Sequence, residues 1–206
     1  MFSRVTASAV LGIDAYPVDV ETDISSQLPA FTVVGLPDNA VKESRERVTS
    51  AVKNSGYPFP QGRITINLAP AAIKKEGSSF DLPIALGIIR AMGVLEGDHV
   101  PEYFVLGELG LDGGVAPVRG VLPVALLAKR EDARGIIVPK ENAKEAAIAQ
   151  GAPVYPVEDL DQAVRFLAGD LEIEPYSMEL KEVFQMASRY FADFSDVRGQ
   201  EHVKRS

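Results

Sequence analysis

Glu76-Gly77-Ser78-Ser79-Phe80-Asp81 opens an apolar run over residues 82–92, and the elements on either side are laid out around it. A hydroxyl can accept one of the N–H groups that a helix start leaves unpaired, so Ser78 or Ser79 is expected to cap a helix over about residues 80–92. Pro83 is tolerated in the first turn, where no N–H is required. Asp81 suits the positive end of the helix dipole, which gives it a structural role. Upstream, Ile64-Thr65-Ile66-Asn67-Leu68 alternates as a strand and Ala69-Pro70 ends it. Downstream, residues 103–107 read as a buried strand. Residues 109–118, with Gly110, Gly113 and Gly114, read as a hairpin.

The pattern continues in both directions. Residues 4–11 and 16–22 are neighbouring strands with Gly12-Ile13-Asp14 near their turn, and residues 30–34 are a short buried strand. Asp38 or Asn39 caps the next helix, whose apolar stripe is Val41, Val48, Ala51 and Val52. Its wet face carries Lys42, Glu43, Arg45, Glu46 and Arg47, and Gly56 closes it. After the hairpin, helices at 121–129, 140–150 and 159–167 alternate with strands at 135–138 and 153–157. Strand–helix alternation after an initial meander gives an α+β (α/β layered) domain over residues 1–168. Residues 169–206 differ. An acidic linker at 170–175 leads to Tyr176, Phe184, Tyr190, Phe191 and Phe194, and so aromatic a tail is expected to dock on something. Residues 196–206 read as the start of a further module.

Composition narrows the function classes. With 206 residues, 46% of them hydrophobic, the chain can build a sizeable core without disulfide or metal. The absence of cysteine excludes a thiol nucleophile, a cysteine zinc site and a disulfide frame, and fits a cytoplasmic location. No apolar run approaches the roughly 18 residues of a membrane span, so no membrane contact is expected. The two histidines, His99 and His202, read as surface residues and offer no metal cluster. There is no Gly-x-x-x-x-Gly-Lys-Ser/Thr loop, so no cofactor is assigned to these residues.

A net charge of −8 repels a polyanion on average, so contact with DNA would need a local basic patch. The densest basic stretch holds Lys42, Arg45, Arg47, Lys53, Arg63, Lys74 and Lys75, of which Lys42, Arg45, Lys74 and Lys75 are the candidate DNA contacts. Few aromatics accompany them, which favours phosphate contact over base stacking. The competing reading is a helix face laced with salt bridges to Glu43 and Glu46.

Two stretches resemble the proteolytic domain of the Lon family: the one around Ser79, and Gly114-Val115-Ala116-Pro117-Val118-Arg119-Gly120-Val121-Leu122. The resemblance puts Ser79 at the nucleophile position and Leu122 at the position of its lysine base. Leucine cannot accept a proton. Lys74 and Lys75 precede the serine, and Lys129 lies seven residues past Leu122, about 10 Å along a helix. Arg119 stays protonated. No catalytic residue is therefore assigned, and Ser79 is read as a helix cap.

Six stretches in chain order further resemble the N-terminal domain of the YifB/ComM family of magnesium-chelatase-like AAA+ ATPases. They include Phe31-Thr32-Val33-Val34-Gly35-Leu36-Pro37, Ile64-Thr65-Ile66-Asn67-Leu68-Ala69-Pro70, Leu106-Gly107-Glu108-Leu109-Gly110-Leu111-Asp112-Gly113 and Asp196-Val197-Arg198-Gly199-Gln200. The resemblance implies a ribosomal protein S5 domain 2-like fold, as in Lon. It implies an AAA+ module after Arg198-Gly199-Gln200 that brings ATP and Mg to the full-length protein, and a homo-hexameric ring. It also implies action on DNA, as a branch-migration helicase in natural transformation. The alternatives are an active Lon-like serine peptidase with a displaced lysine, and a chelatase-type motor subunit with a metal–porphyrin partner.

Overall fold

Apolar residues alternate through the first 25 positions, and the backbone follows them into an antiparallel ribbon of β1 (Phe2–Leu11) and β2 (Asp14–Ser25). The structure, a computed structural model, describes residues 1–178. On the β2 side the ribbon is extended by β4 (Arg63–Ala69) and then by β3 (Ala30–Val34) at the edge. On the β1 side follow β5 (Tyr103–Val105), β8 (Gly135–Pro139) and β9 (Val154–Val157), all parallel to β1. The small hairpin β6 (Glu108–Leu109) and β7 (Val115–Ala116) stands outside this seven-stranded sheet. The antiparallel β1–β2 pair comes from a tight turn, β4 adds antiparallel to β2 after a long connection, and the parallel β3–β4 and β8–β9 pairs come from strand–helix–strand crossovers.

Side chains on successive strand residues point to opposite faces, and the cores divide accordingly. Val105 and Ile137 join a core formed with α1 (Asn39–Asn54), α2 (Asp81–Ala91) and α5 (Leu160–Ala168). Phe104, Ile136 and Val138 join a second core with α3 (Val121–Arg130) and α4 (Ala143–Ala147). The helices thus cover both faces, which makes the domain a layered α+β fold. Ten of the eleven residues of α2 are buried, as expected for a helix that is apolar all round. Gly35 has a φ of +96°, and a Cβ there would lie 2.2 Å from the carbonyl oxygen of Leu68, so the close pass of this turn over β4 demands glycine.

Some boundaries differ from expectation. The helix expected over 140–150 is split into a 3-10 turn, Lys140–Asn142, and the short α4. Asn142 is used instead as a clamp: its amide accepts from the Val118 N–H and donates to the Val118 carbonyl, both at 2.9 Å. The segment expected as an acidic linker lies against the domain. Ile173 packs on the first core, the Tyr176 N–H donates to the Val154 carbonyl at 2.7 Å, and Met178 packs on the second core. The chain therefore crosses the outer edge of β9. Phe184, Tyr190, Phe191, Phe194, His202 and the expected start of an AAA+ module lie outside the described residues.

Candidate functional site

Ser79 sits in the middle of a 3-10 turn, Ser78–Phe80, that runs directly into α2. This corrects the capping expectation. The backbone at both serines already winds, so their hydroxyls lie beyond the capping position and neither makes a cap bond. The free N–H of Leu82 is taken by the Gly107 carbonyl at 3.0 Å, and the Gly107 N–H returns to the Ser79 carbonyl at 3.1 Å. Ser78 donates its hydroxyl hydrogen bond to the Glu108 carboxylate. A cleft of about 270 Å³ opens here, lined by Glu76, Ser78, Ser79, Glu108, Val118 and Arg119 among others.

Among the described residues no lysine lines that cleft. Leu122 packs on the second core, and its N–H is held by the Glu145 carboxylate at 3.0 Å. Lys129 is engaged elsewhere, donating to the Gln150 carbonyl at 3.0 Å. The Ser79 hydroxyl has no hydrogen-bond partner among the described residues.

Behind the cleft lies a buried ion pair. Asp81 is fully buried, and Arg47 reaches in from α1 to meet both its oxygens, Nε–Oδ2 at 2.6 Å and Nη2–Oδ1 at 3.1 Å. The Leu109 N–H adds a third bond at 3.2 Å. Burial pushes the Asp81 carboxyl above its ordinary value, while the guanidinium and the Leu109 N–H pull it back. The expectation that Arg47 belongs to the wet face of its helix is therefore corrected. Such a pair ties α1, α2 and β6 together under the cleft.

The candidate DNA contacts separate. Lys42 and Arg45 are exposed on α1. Lys74 is exposed and paired with Glu76 at 2.6 Å. Lys75 corrects the expectation outright: it is fully buried, its ammonium donates to the Pro70 carbonyl, and burial pushes its pKa down. Its backbone is pinned between the Leu36 carbonyl and the Asp38 N–H, so the side chain turns under the loop instead of outward. His99, expected on the surface, is half-buried, with Nε2 2.9 Å from the Leu167 carbonyl oxygen and its ring edge-on to Tyr103. Among the described residues no three His, Cys, Asp or Glu side chains gather as metal ligands, and no helix is long and apolar enough to cross a membrane.

Sequence reasoning missed two features. One is the inward turn of Arg47, which a search for the counter-ion of Asp81 could have suggested. The other is the approach of Phe31 and Phe59 to α1, which no local pattern signals.

Fold and cleft together define a layered α+β domain that presents a serine at the head of a buried helix without a lysine beside it. A family model described as subunit ChlI of Mg-chelatase matches residues 20–142. Competence protein ComM of Haemophilus influenzae is 38% identical over 203 residues, 98% of this chain and 40% of its own length. The YifB protein of Escherichia coli is 41% identical over 204 residues, 98% of this chain and 39% of its own length. A Lon protease of Brevibacillus choshinensis is 27% identical over 161 residues, 72% of this chain and 20% of the protease. The chain belongs to the YifB/ComM family of magnesium-chelatase-like proteins. It spans about two fifths of the length of these ComM and YifB relatives.

Proposed function

We propose that this chain is a non-catalytic front domain of a magnesium-chelatase-like AAA+ ATPase of the ComM/YifB type. The full-length protein acts on DNA in the cytoplasm as a homo-hexameric ring, with branch migration in natural transformation as its task. The observation that carries the non-catalytic reading is the serine cleft. A serine nucleophile needs a base within hydrogen-bond reach, about 2.6–3.2 Å, and the Ser79 hydroxyl has none among the described residues. The Arg119 guanidinium offers only N–H donors, and Leu122 has no proton-accepting atom. The DNA reading is supported by the kinship with a protein named for competence. ATP and Mg belong to the AAA+ module expected to follow, and no residue here is assigned to them.

The test uses the full-length protein with ATP. Hydrolysis of casein and of a fluorogenic peptide is measured for the wild type and Ser79→Ala, alongside ATPase activity with and without DNA. The expected result is no peptide hydrolysis in either protein, and DNA-stimulated ATPase that Ser79→Ala leaves unchanged. Hydrolysis that Ser79→Ala abolishes would establish the peptidase alternative. The ChlI match favours a second reading, a chelatase-type motor serving a metal–porphyrin enzyme. ATPase activity indifferent to DNA, with co-purification of such an enzyme, would select it.

A further inference from the structure

One face of α1 carries Lys42, Arg45, Thr49 and Lys53, spaced three, four and four residues apart, which aligns them in a row. At 1.5 Å per residue the row is about 16 Å long. All three cations are exposed. Lys42 and Lys53 form no ion pair among the described residues. Arg45 meets Glu46 at 3.7 Å with both side chains mostly exposed, a pairing worth little in water. The salt-bridge-laced face that the sequence also allowed is therefore not what this row forms.

Beside the row, between α1 and the edge strand β3, lies a recess of about 150 Å³. Phe31, Arg45, Thr49, Phe59 and Pro60 are among its lining residues. Both phenylalanines are half-buried and packed on the first core, which holds the rings in place. The Lys53 ammonium stands 5.5 Å from the centre of the Phe59 ring. Sequence alone favoured phosphate contact without stacking because aromatics were scarce near the basic residues. The fold supplies them from β3 and from the loop before β4.

We infer that this recess and its cationic row bind single-stranded nucleic acid, with phosphates along Lys42, Arg45 and Lys53 and an unstacked base against Phe59 and Phe31. A positively charged track beside fixed aromatic rings is the chemistry of sequence-tolerant single-strand binding. A duplex hides its base faces, and a recess of this size has room for about one base. Glu46 on the rim opposes the phosphates, and with a net charge of −8 it makes the binding weak and strongly salt-dependent. The inference rests on the DNA reading above and adds to it a place and a preferred strand state.

The experiment titrates the full-length protein into fluorescein-labelled oligo-dT and into a duplex of equal length, by anisotropy at several salt concentrations. Phe59→Leu keeps apolar volume but removes the ring, and should lower affinity for oligo-dT roughly tenfold with no change on duplex. Lys42→Gln with Lys53→Gln should reduce the slope of log affinity against log salt by about 1.4, or 0.7 for each phosphate no longer neutralised. Glu46→Gln should tighten binding. Thermal melting checks that each variant is folded, and the lysine pair, which is exposed, decides the matter if Phe59→Leu is not. No binding of either DNA by the wild type would sink this inference and the DNA reading together. Wild-type binding with unchanged variants would sink this inference alone. Equal losses on duplex, or displacement of oligo-dT by a polyglutamate peptide at equal concentration, would also overturn it.

Discussion

Replacing Arg47 by methionine strands the Asp81 carboxylate in the interior with only the Leu109 N–H for company. The wild-type pair is bidentate at 2.6 and 3.1 Å, and Asp81 has no solvent exposure, so water cannot replace the missing guanidinium. Removing one partner of a buried pair costs about 3–5 kcal/mol, because an uncompensated charge remains. At roughly 2–4 °C per kcal/mol for a domain of this size, the midpoint should fall by about 6–20 °C. Adding Asp81→Asn removes the charge while keeping an acceptor for Leu109, and should recover the stability to within about 1–2 kcal/mol of wild type. The assay is urea and thermal unfolding of all four proteins as a double-mutant cycle. A pH series adds a sign. Burial raises the folded pKa of Asp81, and loss of Arg47 raises it further, so the folded variant takes up a proton more readily than the unfolded chain. The deficit of Arg47→Met should therefore narrow as pH falls toward the ordinary aspartate value of about 3.9. Single variants that each cost under about 1 kcal/mol and simply add in the double would refute the claim that this pair is a buried, coupled unit.

The buried Lys75 should leave a signature at the alkaline end. Its folded pKa lies below the ordinary value, so between the two the unfolded chain holds more protons and stability rises with pH. Lys75→Met should flatten that rise in urea titrations carried up to the ordinary lysine value of about 10.4, and an unchanged slope would show that the lysine keeps its proton when folded. Ser44, fully buried on α1, has a hydroxyl with no hydrogen-bond partner in the described structure. Ser44→Ala should stabilise by up to about 1 kcal/mol, since alanine is the better helix former and buries no orphan polar atom, and a destabilisation larger than that would reveal a hidden partner.

The strands and most helices were readable because their signals are local. Alternation gave the β1–β2 ribbon, and a capping residue ahead of an apolar stripe gave the start of α1, where Asp38 accepts from the Val41 N–H. Asp159, read as the first residue of its helix, instead caps α5 by accepting from the Gln162 N–H. The serines before α2 misled because a hydroxyl at a helix start suggests a cap whether or not the backbone already winds into a 3-10 turn. Arg47 misled for a different reason. It adjoins Val48 at the margin of the buried stripe of α1, where a long side chain can lie outward or fold in, and its partner is thirty-four residues away. For the candidate site, Ser79 and Leu122 were found by resemblance. The separation of Leu122 from the cleft is a matter of how α3 packs, which no local pattern specifies.

The layered α+β class, the residue types at the serine cleft and the want of a proton acceptor at position 122 are legible in the chain before it folds. These follow from backbone periodicity and from the identity of single side chains, which no tertiary contact can alter. Which charges are buried, that Lys75 turns under its loop while Lys42 stays in water, and that Phe31 and Phe59 meet the cations of α1 emerge with the packed fold. Those outcomes depend on contacts between segments far apart in the chain, and on whether burial or solvation of a long charged side chain costs less once the backbone is in place.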